Sequence, residues 1–371
     1  MQGQWIGRFN GTTTGRIVIN IDELHSCFQG VAYLMQDEPK IPNSATYFNT
    51  SDKSNKFQFT TNNISPINMW PGLPDAWENV KQYYPNGIMS KSVTVKGTWS
   101  SKQLSLSWTT DIGAIGDCKL KHSQSTQKSK LAAKKTTWES FKKYISKLEG
   151  RKFLFRGQEE PWRLRTSFHR TGRADVQRFV NEDIQTLHKH LSARTKHVFN
   201  LDIGNENGAF FNLVQHHGYP TPLLDWTYSP YVAAYFAFRN ISKDDIKEAT
   251  SKSKVRIFMF NQAEWRRDYQ QYLHLSTAKL HLSIGEFMAI ENERMIPQQA
   301  ISTVTNIDDI ESYISICEQV SKKTYLQAFD LPLKERDKVI QELRYMGITA
   351  GSMFPGLDGA CEELKDRNFE I

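Results

Sequence analysis

The chain has 371 residues, 39% of them hydrophobic, 12% aromatic and 23% charged, with a formal net charge of +7. That length calls for two or three domains, and that apolar content is enough for packed cores, which excludes a disordered chain. The longest uncharged apolar run, Tyr231 to Phe238, has eight residues, far short of the ~20 that span a bilayer.

Four widely spaced cysteines with no C-x-x-C pair suggest neither a disulfide framework nor a structural zinc site. Met1-Gln2-Gly3-Gln4-Trp5 lacks the basic and apolar regions of a signal peptide. A cytoplasmic, metal-free protein is expected.

Residues 1–118 read as all-β. Trp5 to Phe9 precede the turn-rich Asn10-Gly11-Thr12-Thr13-Thr14-Gly15. Ile17, Ile19 and Ile21 then alternate with Val18 and Asn20, the pattern of a strand with one strongly apolar face. Val93, Val95 and Trp99 alternate likewise, and after Ser100-Ser101-Lys102 so do Leu104, Leu106 and Trp108, which predicts a hairpin. Strands at this spacing predict a small barrel or sandwich. A packed core or a protein-docking surface is the favoured reading over a ligand cavity, and no residue here reads as catalytic.

Lys119 to Thr137 is rich in Lys, Ser, Gln and Thr, lacks hydrophobic periodicity and reads as a linker. The chain then divides into a β domain at 1–118, a basic linker at 119–137 and a third unit at 138–371. Thr137 can cap a helix whose apolar face holds Trp138, Phe141, Tyr144, Ile145 and Leu148. Val176, Phe179, Val180, Ile184, Leu187 and Leu191 predict a second helix within 176–200. Charge is segregated along the chain: 1–118 hold 9 basic and 9 acidic residues, 119–200 carry +13, and 201–371 carry −6. Such a basic block attracts the phosphates of nucleic acid or nucleotide, although a solvated linker and an ordinary basic helix face explain it equally well.

Three stretches of the second half are dense in groups that grip a ligand. In Lys152-Phe153-Leu154-Phe155-Arg156-Gly157-Gln158 a short buried strand ends by presenting an Arg with a Gly behind it. The guanidinium fork suits phosphate or ribose, and Gly lets a ligand approach the backbone. On chemistry alone, an ion pair between Arg156 and a carboxylate is the favoured reading.

From His217-Gly218 a stiff turn through Pro220 and Pro222 leads to Leu223-Leu224. This short strand delivers Asp225, Trp226, Thr227 and Ser229 to a helix entered at Ser229-Pro230. A capped helix N-terminus favours anions, and Trp226 offers a ring for stacking. An N-cap and a core tryptophan explain Ser229 and Trp226 as well, but not the density of polar groups.

Val255 to Phe260 reads as a strand. Ile290 to Ile301 carries Glu291, Glu293, Arg294 and Gln298, and a carboxylate or amide on a strand edge there can bind ribose hydroxyls. Residues 335–346 read as an amphipathic helix. No P-loop, G-x-G-x-x-G, H-E-x-x-H or G-x-S-x-G pattern occurs. His188 and His190, two apart, point to different helix faces, and His169 and His197 read as surface histidines. No metal site is expected.

Together these stretches resemble the FRG domain family, named for a Phe-Arg-Gly motif, here Phe155-Arg156-Gly157. The likeness continues through His217-Gly218, Pro220-Thr221, Leu223 to Thr227, Ser229-Pro230 and Ala234-Tyr235-Phe236-Ala237. It ends with Arg294 and Gln298 and the tail Gly347-Ile348 to Gly359, spanning roughly residues 138–365. The FRG arrangement in turn resembles an ADP-ribosyltransferase fold. The fold class expected is α+β: an all-β barrel or sandwich followed by an ADP-ribosyltransferase-like domain.

By that resemblance the substrate is NAD. Arg156 would hold its phosphates or ribose, with Gly157, His217, Gly218, Asp225 and Arg294 also in the binding site. Thr227 and Ser229 would support Arg156 and the nicotinamide pocket, which Trp226, Tyr235 and Phe236 would line or brace. Gln298 would bond the nicotinamide ribose. The family's third motif often runs Gln-x-Gly-x-Phe, whereas here it is Gln298-Gln299-Ala300-Ile301-Ser302. The Glu-x-Glu usual in such transferases has one match by spacing, Glu291-Asn292-Glu293, so Gln298 ranks first and Glu293 second for the third position.

The resemblance implies an ADP-ribosyltransferase toxin of toxin–antitoxin and phage-defence loci, cleaving an N-glycosidic bond through an oxocarbenium-like state. The basic block favours nucleic acid, RNA first, as acceptor. An antitoxin or chaperone would be the neutralising partner, and no membrane is involved. The alternatives are a non-catalytic nucleotide- or nucleic-acid-binding sensor on the same fold, which the missing Glu-x-Glu favours, or a transferase acting on protein. A nuclease ranks last, for want of a clustered acidic metal site.

Overall fold

The computed structural model describes residues 1–369. The alternating pattern of the first third builds strands β1 (Gly3–Gly11), β2 (Gly15–Glu23), β3 (Phe28–Gln36), β4 (Ser44–Asn49) and β5 (Lys56–Thr61). It continues through β6 (Ile64–Pro66), β7 (Val93–Trp99), β8 (Gln103–Thr110) and β9 (Ile115–Lys121). Ordered β5-β7-β8-β9-β1-β2-β3-β4-β6, they form one antiparallel sheet that curls into a nearly closed barrel. The expected hairpin is β7–β8, in register from Val93↔Thr110 to Trp99↔Leu104. Phe9, Ile17, Ile19, Ile21, Phe48 and Leu104 belong to the barrel core. They do not fill the interior. A cavity of about 700 Å³ remains, which corrects the expectation of a packed core.

β2 departs from its expected one-sided pattern, because Val18, Asn20 and Asp22 on its other face are buried too. That face is pressed against the second half of the chain. Val18 packs with Val31, Tyr33 and Ala45 of the barrel and with Ala278 of the second half. Asp22, 1% exposed, accepts from Arg173 Nε (2.8 Å) and from the amides of Ala174 and Asp175 (2.8 and 3.1 Å). Gln4 donates to the Asn306 carbonyl (2.7 Å) and accepts from the Asp308 amide (3.0 Å). Tyr33 and Tyr47 both donate to Gln177 Oε1.

The segment read as a linker is held to the fold. Its first residues continue β9, Ser125 and Ser129 donate to Asp308 and Glu311 (2.6 and 2.7 Å), and Ala133–Lys135 forms β10. β10 joins β11 (Phe153–Gln158), β12 (Leu223–Thr227), β13 (Lys254–Asn261), β14 (Leu282–Gly285), β15 (Ala300–Thr305) and β16 (Leu326–Pro332). Their order is β10-β16-β13-β11-β12-β15-β14, with β10 and β16 parallel. The chain is therefore mixed α+β.

Helices Trp138–Ile145, Pro230–Phe238 and Arg336–Tyr345 pack with Phe155, Ile257 and Phe329 in one core. Trp226, Phe258, Trp265 and Ile310 belong to another. The helix expected within 176–200 ends at Leu191, where its apolar spacing ends. A helix not singled out from sequence, Gly204–His216, follows; its first turn is polar and holds Gly204, and Phe210, Phe211, Leu213 and Val214 are confined to its second half. His169 is wholly buried rather than at the surface, and burial lowers its imidazole to about 4.

Candidate functional site

β11 pairs with β13 along its whole length, from Phe153↔Asn261 to Gln158↔Arg256, yet meets β12 only at Phe155↔Thr227. Beyond that pair the sheet is split, and Arg156 bridges the split. Its Nη1 donates to the Asp225 carbonyl (2.7 Å) and its Nε to Gln158 Oε1 (3.3 Å). Among the described residues no carboxylate stands within ion-pair distance of Arg156, so the ion pair favoured on chemistry alone is not formed, and Nη2 has no acceptor among them. Burial lowers the guanidinium to about 10, against the pull of the Asp225 carboxylate and with added repulsion from Arg170.

Asp225 is positioned from the helix Gly204–His216. Its carboxylate accepts from Gln215 and, at 3.5 Å, from Ser302 Oγ. Gln215 in turn accepts from Thr221, and Ser302 also donates to Asn212 Oδ1 (2.9 Å). Arg170, at the end of the short helix Ser167–Arg170, is lowered by burial and pulled the other way by Asp225. Two guanidiniums thus share the field of one carboxylate.

Thr227 lies where three strands meet, opposite both Phe155 and Ala300. Its Oγ1 donates to the Gln298 carbonyl (2.7 Å) and accepts from the Ser229 amide (3.0 Å). Ser229 caps the helix Pro230–Phe238 by accepting from the Val232 amide. Gln298 lies two residues before β15 rather than on a strand, and its side-chain amide donates to the Met353 carbonyl (2.8 Å). Arg156, Asp225, Thr227, Ser229 and Gln298 are thereby gathered around the split.

Other residues read as ligand groups prove to have structural contacts. A Cβ on Gly157 would stand 1.8 Å from the Ala233 carbonyl oxygen; the close approach at this glycine is a helix on the sheet, not a ligand. Trp226, 3% exposed, is sealed in the core and donates to Thr303 Oγ1 (3.1 Å), so it has no face for stacking. Tyr235 is likewise a core residue, and Phe236 is partly buried against Phe354. Tyr235 borders a small pocket beside Arg239, Ile340 and Glu362.

His217 is exposed just past the helix Gly204–His216, and Gly218 follows at φ +87°, a helix stop rather than a ligand loop. Arg294 donates to the His216 carbonyl at the same helix end (3.0 Å) and lies over the Phe354 ring. Glu293 is exposed on the turn before β15, and Glu291 accepts from the His197 amide. Arg170, Gln215, Asn212 and Ser302 were missed from sequence. Gln215 and Ser302 sit beside the motifs, whereas Arg170 and Asn212 carry no spacing signal.

The basic block also divides in two. Four of its eight arginines are paired: Arg163 with Asp309, Arg165 with Asp308, Arg173 with Asp22 and Asp183, and Arg178 with Glu182. The lysines of 119–135 are exposed, Lys128 pairing with Glu160 at the surface. Among the described residues no group of three or more His, Cys, Asp and Glu could hold a metal ion. None of their helices is long and apolar enough to cross a membrane.

A mixed sheet split around a half-buried arginine with no carboxylate in ion-pair reach defines a candidate anion site. Residues 151–246, which contain Arg156 and the whole of β12, match the family model of the FRG domain, and this supports the FRG family for that stretch. No curated protein matches the chain. Two solved structures are similar in part, a redesigned β-barrel bound to DFHBI and a second redesigned β-barrel. Each is 12% identical with a TM-score of 0.22, and the matches cover 33% of this chain and 94% and 91% of those chains. At that score the likeness carries no conclusion.

Proposed function

We propose that the second half binds NAD at the Arg156 split and transfers its ADP-ribose to an acceptor, RNA being the first candidate. The observation behind this reading is a half-buried guanidinium with no carboxylate partner in ion-pair reach. A partly desolvated, unpaired cation is unfavourable, and a pyrophosphate supplies the missing charge in the bidentate geometry the fork requires. Arg170 adds a second cation, and Asp225 holds the two in register.

In the proposed reaction the bond between ribose C1′ and the nicotinamide nitrogen breaks, its electron pair leaving with neutral nicotinamide. C1′ bonds to the acceptor nucleophile, which gives up its proton. Gln298 would reach the ribose only by releasing the Met353 carbonyl. The exposed lysines of 119–135 would attract the nucleic acid. A toxin role in phage defence, with an antitoxin or chaperone as partner, rests on the motif resemblance alone.

A second reading, a nucleotide-binding sensor without turnover, is favoured by the committed amide of Gln298 and the exposed position of Glu293. Calorimetry with NAD beside nicotinamide release and transfer of labelled NAD to RNA separates the two. Binding, release and transfer, all lost in Arg156→Ala, support the transferase. Binding without release supports the sensor. No binding of NAD refutes the transferase, and no binding of NAD, another nucleotide or RNA refutes both.

A further inference from the structure

Protein interiors pack like organic crystals, with few voids larger than a water. The barrel does not. Its cavity of about 700 Å³ lies within the range of sites that enclose whole small molecules, roughly 300–1,000 Å³. Ile17, Ile19, Leu34, Phe59, Leu106 and Trp108 face it from β2, β3, β5 and β8. Met1 lines the end where β1 begins. Thr12, Lys40 and Ile88 line the opposite end, where the β1–β2 and β3–β4 turns lie, and this end is the mouth.

Two features set the chemistry of an occupant. Among the described residues, the only charged side chains in the lining, Glu38 and Lys40, are both exposed at the mouth. An ionised group deep inside would therefore stand unpaired among aliphatic and aromatic walls, which is strongly unfavourable. The rim is itself apolar, with Tyr83, Ile88, Ile112 and Ile115 exposed around the opening, Ile88 to 70%. Exposed apolar clusters of this kind mark sites of contact. Access is open, because the second half grips Gln4 of β1 and Asp22 of β2, near the Met1 end of the barrel.

We propose that the barrel is a binding site for a lipophilic small molecule, its uncharged hydrocarbon body inside and its polar or ionised group at the mouth beside Glu38 and Lys40. The site is separate from the Arg156 split and stands whatever the second half does.

The test uses the full chain and two fluorescent probes, cis-parinaric acid for a chain-shaped body and anilinonaphthalene sulfonate for a ring-shaped one. Saturable binding of either at one per chain, with energy transfer from the barrel tryptophans, is the expected result. Ala32→Phe, which fills the cavity, should weaken that binding at least tenfold. Ile88→Glu, which places a charge on the exposed rim, should weaken it several-fold without touching the core. Circular dichroism checks folding, and if Ala32→Phe does not fold, Ile88→Glu decides. Non-saturable binding of both probes, or affinity unchanged in every folded variant, overturns the proposal.

Discussion

Arg156 and Gly157 are adjacent, yet one answers to charge and the other to volume. Arg156 bridges the divergence of β11 and β12, and its bond to the Asp225 carbonyl stands where ladder bonds would otherwise run. Gly157 lies under the helix Pro230–Phe238, with the Ala233 carbonyl and the Ala237 amide both too near for a side chain. Gly157→Ala should accordingly destabilise the second half by about 1–3 kcal/mol or more, as overpacking does, read as a lowered urea midpoint. Arg156→Met should behave differently. It removes a half-buried charge and the donor to two neutral acceptors, the Asp225 carbonyl and Gln158 Oε1, so stability should stay within about 1–2 kcal/mol while NAD affinity drops at least tenfold. A collapse in stability would instead make Arg156 a purely structural residue.

At the scale of elements, β2 decides how the two halves meet. One face supplies Ile17, Ile19 and Ile21 to the barrel, and the other supplies Val18, Asn20 and Asp22 to the interface. Asp175 caps the helical turn beginning at Val176, beside the Asp22 contacts. Burial raises its carboxyl from 3.8 to about 6, with the like charge of Asp22 adding to the rise and the Arg178 amide opposing it. A carboxyl raised in the folded state is a liability when ionised. Its penalty is full above pH 6 and is relieved as pH falls toward 3.8, so its own contribution to stability grows in that window. Asp175→Asn keeps a capping oxygen without the charge. It should add about 2 kcal/mol at pH 7 and nothing near pH 4, measured by urea denaturation of both proteins. The buried His169, lowered to about 4, works the other way, its contribution being lost as pH falls from 6.5. It is common to both proteins and cancels in the comparison.

Across the whole molecule, the +13 of residues 119–200 is not one surface. Arg163, Arg165, Arg173 and Arg178 tie part of the block to the barrel and the acidic second half, whereas the lysines of 119–135 are all exposed. Replacing those lysines by Gln should weaken RNA capture and flatten its salt dependence by about 0.7 for each phosphate no longer neutralised. Nicotinamide release without RNA should be unchanged. Equal loss of both activities would rule out a capture role for this segment.

Much of the secondary structure was legible because it depends on near neighbours. Alternation placed β1, β2, β7 and β8, Thr137 announced the helix Trp138–Ile145, and Ser229-Pro230 announced Pro230–Phe238. The motif stretches also marked the strands that meet around Arg156. What failed had a common cause. Trp226 and Gly157 suit ligands by residue type, but Trp226 is sealed in the core and Gly157 lies under the helix Pro230–Phe238, contacts with distant elements that no local pattern displays. The cavity was equally invisible, since inward-facing Ile and Phe look the same around a void as in a packed core.

The sequence by itself determined where many of the strands and helices form, which stretches carry the Phe-Arg-Gly motif and its companions, and how much charge each stretch bears, all of which follow from composition and short-range pattern. Only the tertiary structure decided that both faces of β2 are buried, that four arginines of the basic block are paired with carboxylates while Arg156 is not, and that the barrel is hollow. Those outcomes depend on contacts between residues up to some 300 positions apart, such as Gln4 with Asn306, and on volumes that no single stretch of chain encloses.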